Sequence, residues 1–351
     1  MSAQGRLLRG TVVGLAAATM FAVGPVAANA ARPKESASLA GACQMRFLPV
    51  PVAAESSSVT GADHTGRFLV GQATVFDGTA SVVESLLWTD GRLRTLDTSA
   101  LAPYVGVKVT DVNSNGAVVG YRTTDVTTFH SDAWVRRNGR YTLLPGLEPD
   151  DATMAVAINS AGDIIGTDVD LSVSPAVFHA VIWPAERPGT VRELTIDGAS
   201  PPWAIGIDID DDGTALAMLG PVTTPDQRPY IWPARGQGYP LTGPTGTTNP
   251  FANALHGGWV AGAAVRDTGG GFSTSAVVRW HLPDRTATLV STEYGDAFAV
   301  NRYGTVAVLG ALIHRNGRIS ALGDSAQPAV LSDRGTAAGT YSGSAVVWTG
   351  C

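Results

Sequence analysis

The densest run of potential ligand oxygens in the sequence is Asp208-Ile209-Asp210-Asp211-Asp212-Gly213, echoed by Asp111-Val112-Asn113-Ser114-Asn115-Gly116. Oxygens at positions one, three and five, with glycine at six, can begin to wrap a hard cation such as calcium. The ninth positions are Leu216 and Val119, and the twelfth are Leu219 and Arg122, so the closing carboxylate is missing from both. Asx residues ahead of a glycine equally suit a plain turn, because they bond their own backbone and tolerate positive φ. The turn is the expectation and no cofactor is implied; Asp208, Asp210 and Asp212 stand as the calcium candidates.

Other chemistries fare worse. Gly323-Asp324-Ser325 has the residue types of a serine-hydrolase fragment but lacks a strand-to-helix elbow around it. The six histidines have no metal-ligand spacing, and two cysteines exclude a four-thiolate zinc site. A glycosidase needs two carboxyl groups flanking one bond. Glu35, Glu55, Glu84, Glu148, Glu186, Glu193 and Glu293 show no such organisation along the chain. No catalytic residue is assigned, and the sequence points away from an enzyme.

The elements that must carry these residues begin after an export signal. Arg6 and Arg9 precede an uncharged apolar stretch from Thr11 to Ala27, and Ala28-Asn29-Ala30 supplies a small-x-small site. This pattern reads as a signal peptide over 1–30, cleaved after Ala30, followed by a linker over 31–42. The apolar stretch is too short for a membrane span and has no stop-transfer flank. Leu39-Ala40-Gly41-Ala42-Cys43 is no lipidation box, because Arg32, Lys34 and Glu35 separate it from the apolar region. A secreted, extracellular protein is expected. Cleavage would remove two arginines and no acid, taking the net charge from −6 to −8. Such a chain repels phosphate backbones and anionic lipid, so neither nucleic acid nor membrane insertion is expected.

Within 351 residues, 15% charged and 44% hydrophobic, the strongest signal is internal repetition. Ile158-Asn159-Ser160-Ala161-Gly162-Asp163-Ile164-Ile165-Gly166 is followed by His179-Ala180-Val181-Ile182-Trp183 and Val191-Arg192-Glu193-Leu194. Trp88, Trp134, Trp183, Trp232 and Trp280 recur at intervals of 46, 49, 49 and 48 residues; Trp348 belongs to a further copy, and Leu312 takes the tryptophan place in between. Each copy reads as four short strands. An Asx-x-x-Gly turn joins the first two, and turns such as Asp90-Gly91, Asn138-Gly139 and Asn316-Gly317 join the last two. Four antiparallel strands per unit of this length indicate an all-β, seven-bladed β-propeller with helices nearly absent. Seven units are placed at about 57–351, within a propeller over 43–351.

These repeats resemble the HAF repeat family of secreted bacterial proteins. The resemblance rests on Ile158-Asn159-x-x-Gly162-x-Ile164-Ile165-Gly166 and His179-Ala180-Val181-x-Trp183, with Val181 where the family has Phe. It spans about 59–350 and loosens in units one, five and six. It implies a propeller and export, and no established activity.

The seventh unit stops at Trp348-Thr349-Gly350-Cys351, while Cys43-Gln44-Met45-Arg46-Phe47-Leu48-Pro49 stands ahead of the first as an orphan strand. In unit one, Trp88 precedes Gly91 by three and Gly91 precedes Leu96 by five; Cys351 follows Trp348 by three and Cys43 precedes Leu48 by five. Both cysteines therefore fall on the same missing turn. The expectation is that a closing strand over 43–52 completes the last blade and that a Cys43–Cys351 disulfide replaces its turn, in an oxidising compartment.

Strand alternation puts the turns joining strands one to two and three to four on one face. The connections joining strands two to three share the other face with the blade-to-blade connections. Those second connections read as long loops in units one to five, including Arg122 to Asp132, Asp168 to Phe178, Pro221 to Arg228 and Arg266 to Thr274, but only Leu309-Gly310 in unit six. Binding residues favour loops on rigid scaffolds, which makes Asp125, Phe129, His130, Arg228 and Phe272 the candidate binding face. The expected function is that of a monomeric binding module for an unknown extracellular protein or glycan. The alternatives are a glycan hydrolase with carboxylates at the central channel and a structural cell-surface protein.

Overall fold

The computed structural model describes residues 43–128, 130–201, 203–220, 227–269 and 272–351. The expected signal peptide and linker and Phe129 lie outside the described residues. Seven four-stranded antiparallel sheets make a seven-bladed propeller, and the described helix content is one 3₁₀ turn, Ser99–Leu101. Blade two comprises Gly106–Val112, Val118–Asp125, His130–Arg137 and Arg140–Leu143. Blade three comprises Ala152–Ile158, Ile164–Asp170, Val177–Trp183 and Arg192–Glu193. The first strands of successive blades touch one another in a closed circle, so they line the axis.

The repeat residues now have physical roles. Every first strand carries a bulge where it pairs with the second, at Thr60, Thr110, Val156, Ile207, Asn253, Phe298 and Ala329. The bulge presses a carbonyl against the second strand, and glycine answers it: a Cβ on Gly166 would lie 2.1 Å from the Met154 carbonyl oxygen and 2.6 Å from the Trp183 ring. The tryptophans end the third strands and fill the space between blades. Four of their indole N–H groups donate in the same way to the chain leaving the preceding blade: Trp88 to Pro49 O, Trp183 to Pro145 O, Trp280 to Thr242 O (2.7 Å each) and Trp232 to Thr195 O (2.8 Å), while that of Trp134 has no partner. Buried aromatics of this kind combine large apolar area with one directed polar bond. The core lies between sheets, as where Ile165, Ile182 and Leu194 of blade three meet Ile209, Ala217 and Leu219 of blade four.

The ring closes as the register requires. Gln44–Phe47 pairs antiparallel with Ser344–Thr349 as the outer strand of blade seven, and Cys43 is bonded to Cys351. The sheet edges that an open ring would expose are thereby paired.

The second connections differ from the long loops expected. In blade two pairing continues to Thr123↔Ser131 and Asp125↔His130, in blade three to Asp170↔Val177, and in blade five to Gly269↔Phe272. Cross-strand bonds offset the ordering of these polar ends, so the crown consists of projecting hairpins. Blades six and seven stay low, with two-residue connections at 309–310 and 342–343.

Candidate functional site

On the turn face, the Asx-x-x-Gly turns bind one another around the axis. Asn113 Oδ1 accepts the N–H groups of Asn115 and Ala117 in its own turn, and its Nδ2 donates to Asn159 O of the next blade (3.0 Å). Asn159 repeats this, capping Gly162 and Asp163 and donating to Asp210 O (3.1 Å). The calcium candidates are engaged in the same way. Asp208 Oδ2 accepts Leu255 N–H (2.7 Å), Asp212 Oδ1 accepts Thr214 N–H (2.8 Å), and Asp210 accepts Gly257 and Gly258 N–H (3.1 and 2.9 Å). Asp111 Oδ2 accepts Ile158 N–H from blade three (2.9 Å). Among the described residues, no group of three or more His, Cys, Asp or Glu is placed to hold a metal ion.

Two histidines from non-adjacent blades complete this face. The His64 and His256 rings stack with centroids 3.7 Å apart and planes 8° from parallel. His64 Nε2 lies 3.4 Å from Asp211 Oδ1, and His256 Nε2 lies 3.1 Å from both oxygens of Asp333. His256 Nδ1 makes no strict hydrogen bond but stands 3.5 Å from Asp210 Oδ1, close enough for the charges to act. Burial alone would lower the His256 imidazole, yet Asp210 and Asp333 outweigh it and hold the group at about 9. Asp210 is correspondingly held down, at about 2, because His256 and three backbone N–H groups overcome its burial. Asp111 and Asp208 are pushed up by burial, to about 7 and about 6, and the Asp208 charge adds to the rise at Asp111. Four blades are thus clasped across the axis by imidazole and carboxylate.

The other face carries an open groove of about 650 Å³ between blades two and three. One wall is the tip of the blade-two hairpin, with Asp125 and His130. Glu148, Asp150 and Asp151 of the inter-blade connection and Asp170 of blade three supply the rest of the charge, and Pro149 and Leu171 give apolar surface. His130 is the only basic side chain in the lining; no Lys or Arg belongs to it. Asp125 Oδ1 accepts Thr127 N–H (2.7 Å), and Asp170 Oδ1 accepts Ser172 N–H and hydroxyl (2.8 and 2.6 Å), which lowers both carboxyls.

Two residues before Asp170, on the same side of the same strand, stands Asp168. It is fully buried; Oδ2 accepts Leu147 N–H (2.8 Å), while Oδ1 has no partner. Burial pushes the carboxyl up to about 7, the Leu147 N–H opposes this, and the neighbouring Asp151 carboxyl adds to it. Of the predicted binding residues, the groove gathers Asp125 and His130. Arg228 opens the third strand of blade four, and Phe272, 75% exposed, opens that of blade five, so neither joins the groove. Glu148, Asp151, Asp168 and Asp170 were not singled out from sequence. The only advance signal was the acidic run Glu148-Pro149-Asp150-Asp151 in a blade connection.

No protein-family model and no curated protein matches the sequence. The fold has solved counterparts. The propeller domain of the Trilobed protease from Pyrococcus furiosus aligns with 12% identity and a TM-score of 0.51, covering 85% of this chain and 95% of that one. The Pyrococcus horikoshii acylaminoacyl peptidase aligns with 10% identity and a TM-score of 0.54, and a Mycobacterium tuberculosis puromycin-hydrolyzing peptidase with 12% and 0.50. The alignments cover 85% and 84% of this chain, but only 52% and 51% of those peptidases. The chain spans about half their length. At these identities the likeness establishes the propeller fold alone. The Trilobed protease domain has an open velcro topology; here a strand and a disulfide close the ring.

Proposed function

We propose that this protein is a secreted propeller built of HAF repeats that acts as a binding module, its extracellular protein or glycan partner docking on the groove between blades two and three. One observation carries the reading: this is the place on the loop face where concavity coincides with uncompensated charge. Five carboxylates line the groove with a single histidine among them, and like charges so placed are stable together only where a partner or solvent answers them. The Cys43–Cys351 bond is compatible with an oxidising compartment. Among the described residues no helix is long and apolar enough to cross a membrane.

The glycan-hydrolase reading has its own observation, the two carboxyls Asp111 and Asp208 near the axis, both raised by burial, with the Asp208 charge adding to the rise at Asp111. Each, however, accepts a backbone N–H from the next blade, and the stacked imidazoles occupy the same end of the axis. Those engagements favour binding over catalysis. A pull-down and glycan-array screen with the mature protein tests both readings against the triple variant Asp125→Asn, Asp151→Asn, Asp170→Asn. Loss of the captured partner in that variant is expected. Unchanged capture would move the site away from the groove, and glycan hydrolysis abolished by Asp208→Asn would establish the competing reading.

A further inference from the structure

In the crown, the blade-one hairpin leaves a length of strand edge unpaired. Its strands Phe68–Phe76 and Ser81–Thr89 pair along their whole length, from Phe68↔Thr89 to Phe76↔Ser81, without a bulge. The fourth strand, Arg92–Thr95, covers only Leu86 to Thr89, and the bond from Leu96 N–H to Ser85 O (2.8 Å) ends the outer ladder. Backbone groups of alternate residues point to opposite edges of a strand. Ser81 and Val83, in phase with Ser85, therefore turn their N–H and C=O groups outward, where no backbone partner meets them among the described residues. Val83 is 59% exposed, Phe76 shares its face of the hairpin and Val82 lies on the other, both exposed. Other blades cover or blunt the corresponding edge. In blade two the Thr153 hydroxyl accepts the outward Ala133 N–H (2.8 Å). In blade seven the closing strand and Leu48 N–H to Ala345 O carry the ladder almost to Ser344. In blade five the edge is polar, Ser273-Thr274-Ser275, with Ser275 Oγ turned to Asp296 (2.9 Å). Natural edges are otherwise protected by lysine, proline or a bulge, and Ser81-Val82-Val83-Glu84-Ser85 has none of them.

A row of N–H and C=O groups spaced two residues apart, flanked by valines on both faces, is complementary to another strand. Charge selects which strand. Glu55, Asp77 and Glu84 are the acids of the hairpin, and they accept from hydroxyls, those of Ser81 (2.9 Å), Thr79 (2.7 Å) and Thr95 (3.4 Å), rather than from a cation. A second copy is disfavoured, because antiparallel pairing about Val83 would set two Glu84 side chains on one face of the joined sheet, between chains that are each net negative. We infer that the outer edge of residues 81–85 is a docking site for an extended segment of a partner protein, which adds a strand to blade one with β-branched residues beside Val82 and Val83 and a lysine or arginine beside Glu84. The site is separate from the groove between blades two and three, on the same face of the ring, and it calls for a protein partner rather than a glycan.

The probe is a fluorescent Thr-Lys-Val-Val-Thr peptide, which in antiparallel register sets its lysine against Glu84 and its two valines against Val83 and Val82. Binding to the intact protein is followed by anisotropy at fixed salt and by amide hydrogen exchange. In the free protein the Val83 amide should exchange much faster than those of Val82 and Glu84, and the peptide should protect it. N-methylation of the first valine, whose N–H would donate to Val83 O, should weaken binding roughly tenfold, while N-methylation of the second, whose N–H points away, should change it less than about twofold. Val83→Pro removes the outward donor without touching a bond of the hairpin, a placement that edge strands tolerate, and should weaken the peptide about as much as the first N-methylation. If Val83→Pro does not fold, Val83→Lys, the charge that natural edges carry, should act in the same direction. The groove variant Asp125→Asn, Asp151→Asn, Asp170→Asn should bind the peptide within about twofold of wild type, which separates the edge from general attraction to acidic surface. Absence of binding at millimolar peptide, equal weakening by the two N-methylations, an unprotected Val83 amide in the bound state, or loss of the peptide in the groove variant would each overturn the assignment. A concentration-dependent dimer abolished by Val83→Pro would overturn it as well, giving the edge to a second copy.

Discussion

The two faces of the ring are both acidic and treat their acids in opposite ways. On the turn face, Asp208, Asp210, Asp211 and Asp333 each accept from a histidine or from a backbone N–H of another blade. On the loop face, Asp125, Asp151 and Asp170 accept from the backbone N–H groups of their own turns, and none of the three ties one blade to the next. The difference separates two uses of one residue type on one scaffold. A carboxylate that ties blades together stabilises the fold, while one left unanswered in a concavity is available to a ligand. The turn face is accordingly the structural face, and it also carries the disulfide.

The comparison can be broken most forcefully at the closure. Replacing both Cys43 and Cys351 by serine should cost up to about 5 kcal/mol in the chain-entropy model, read as a lower midpoint in chemical unfolding with groove binding retained below the transition. Next comes the clasp. His256→Ala leaves Asp210 and Asp333 buried without their cation and should destabilise by about 3–5 kcal/mol. The clasp also carries a pH signature. Because the folded value of His256, about 9, lies above its unfolded value, its stabilisation is complete below about pH 6.5 and is lost as pH rises through 9. Denaturation midpoints of wild type should fall across that window, and those of His256→Ala should not.

The smallest effect belongs to the loop face, where the substitution stabilises rather than destabilises. The folded value of Asp168, about 7, lies above the usual carboxylate value, so its contribution is present at acid pH and lost as pH rises from about 4 through 7. Asp168→Asn keeps an acceptor for Leu147 N–H and removes the buried charge. It should match wild type near pH 4 and exceed it by about 1 kcal/mol at pH 8, after allowance for solvent screening. A loss of stability at both pH values would make Asp168 a structural residue like those of the clasp.

Much of the scaffold was legible in the sequence because repetition exposes it. Trp88 to Trp348 mark the third strands, and the offsets of Cys351 from Trp348 and Cys43 from Leu48 place the closing bond by register alone. The functional chemistry was less legible for a physical reason. The clasp joins His64 to His256 and Asp211, and His256 to Asp333, and only the closure of the ring makes such distant residues neighbours. In isolation Asp208 to Gly213 reads as a turn or a cation loop, and nothing local reveals that its carboxylates reach Leu255, Gly257 and Gly258 of another blade. Asp168 was hidden differently. It occupies the end of a repeat strand, where alternation predicts a loop, and its meaning comes from the missing partner of one oxygen.

The most direct test measures stability and partner capture together, on two variants of the protein: Asp151→Asn with Asp170→Asn in the groove, and His64→Ala in the clasp. The account predicts a double dissociation. The groove variant should lose affinity for the captured partner with an unchanged unfolding midpoint, and the clasp variant should lose stability with affinity intact. Undiminished affinity in the groove variant, or loss of affinity in the clasp variant at temperatures where it remains folded, would contradict the division of the molecule into a structural face and a binding face.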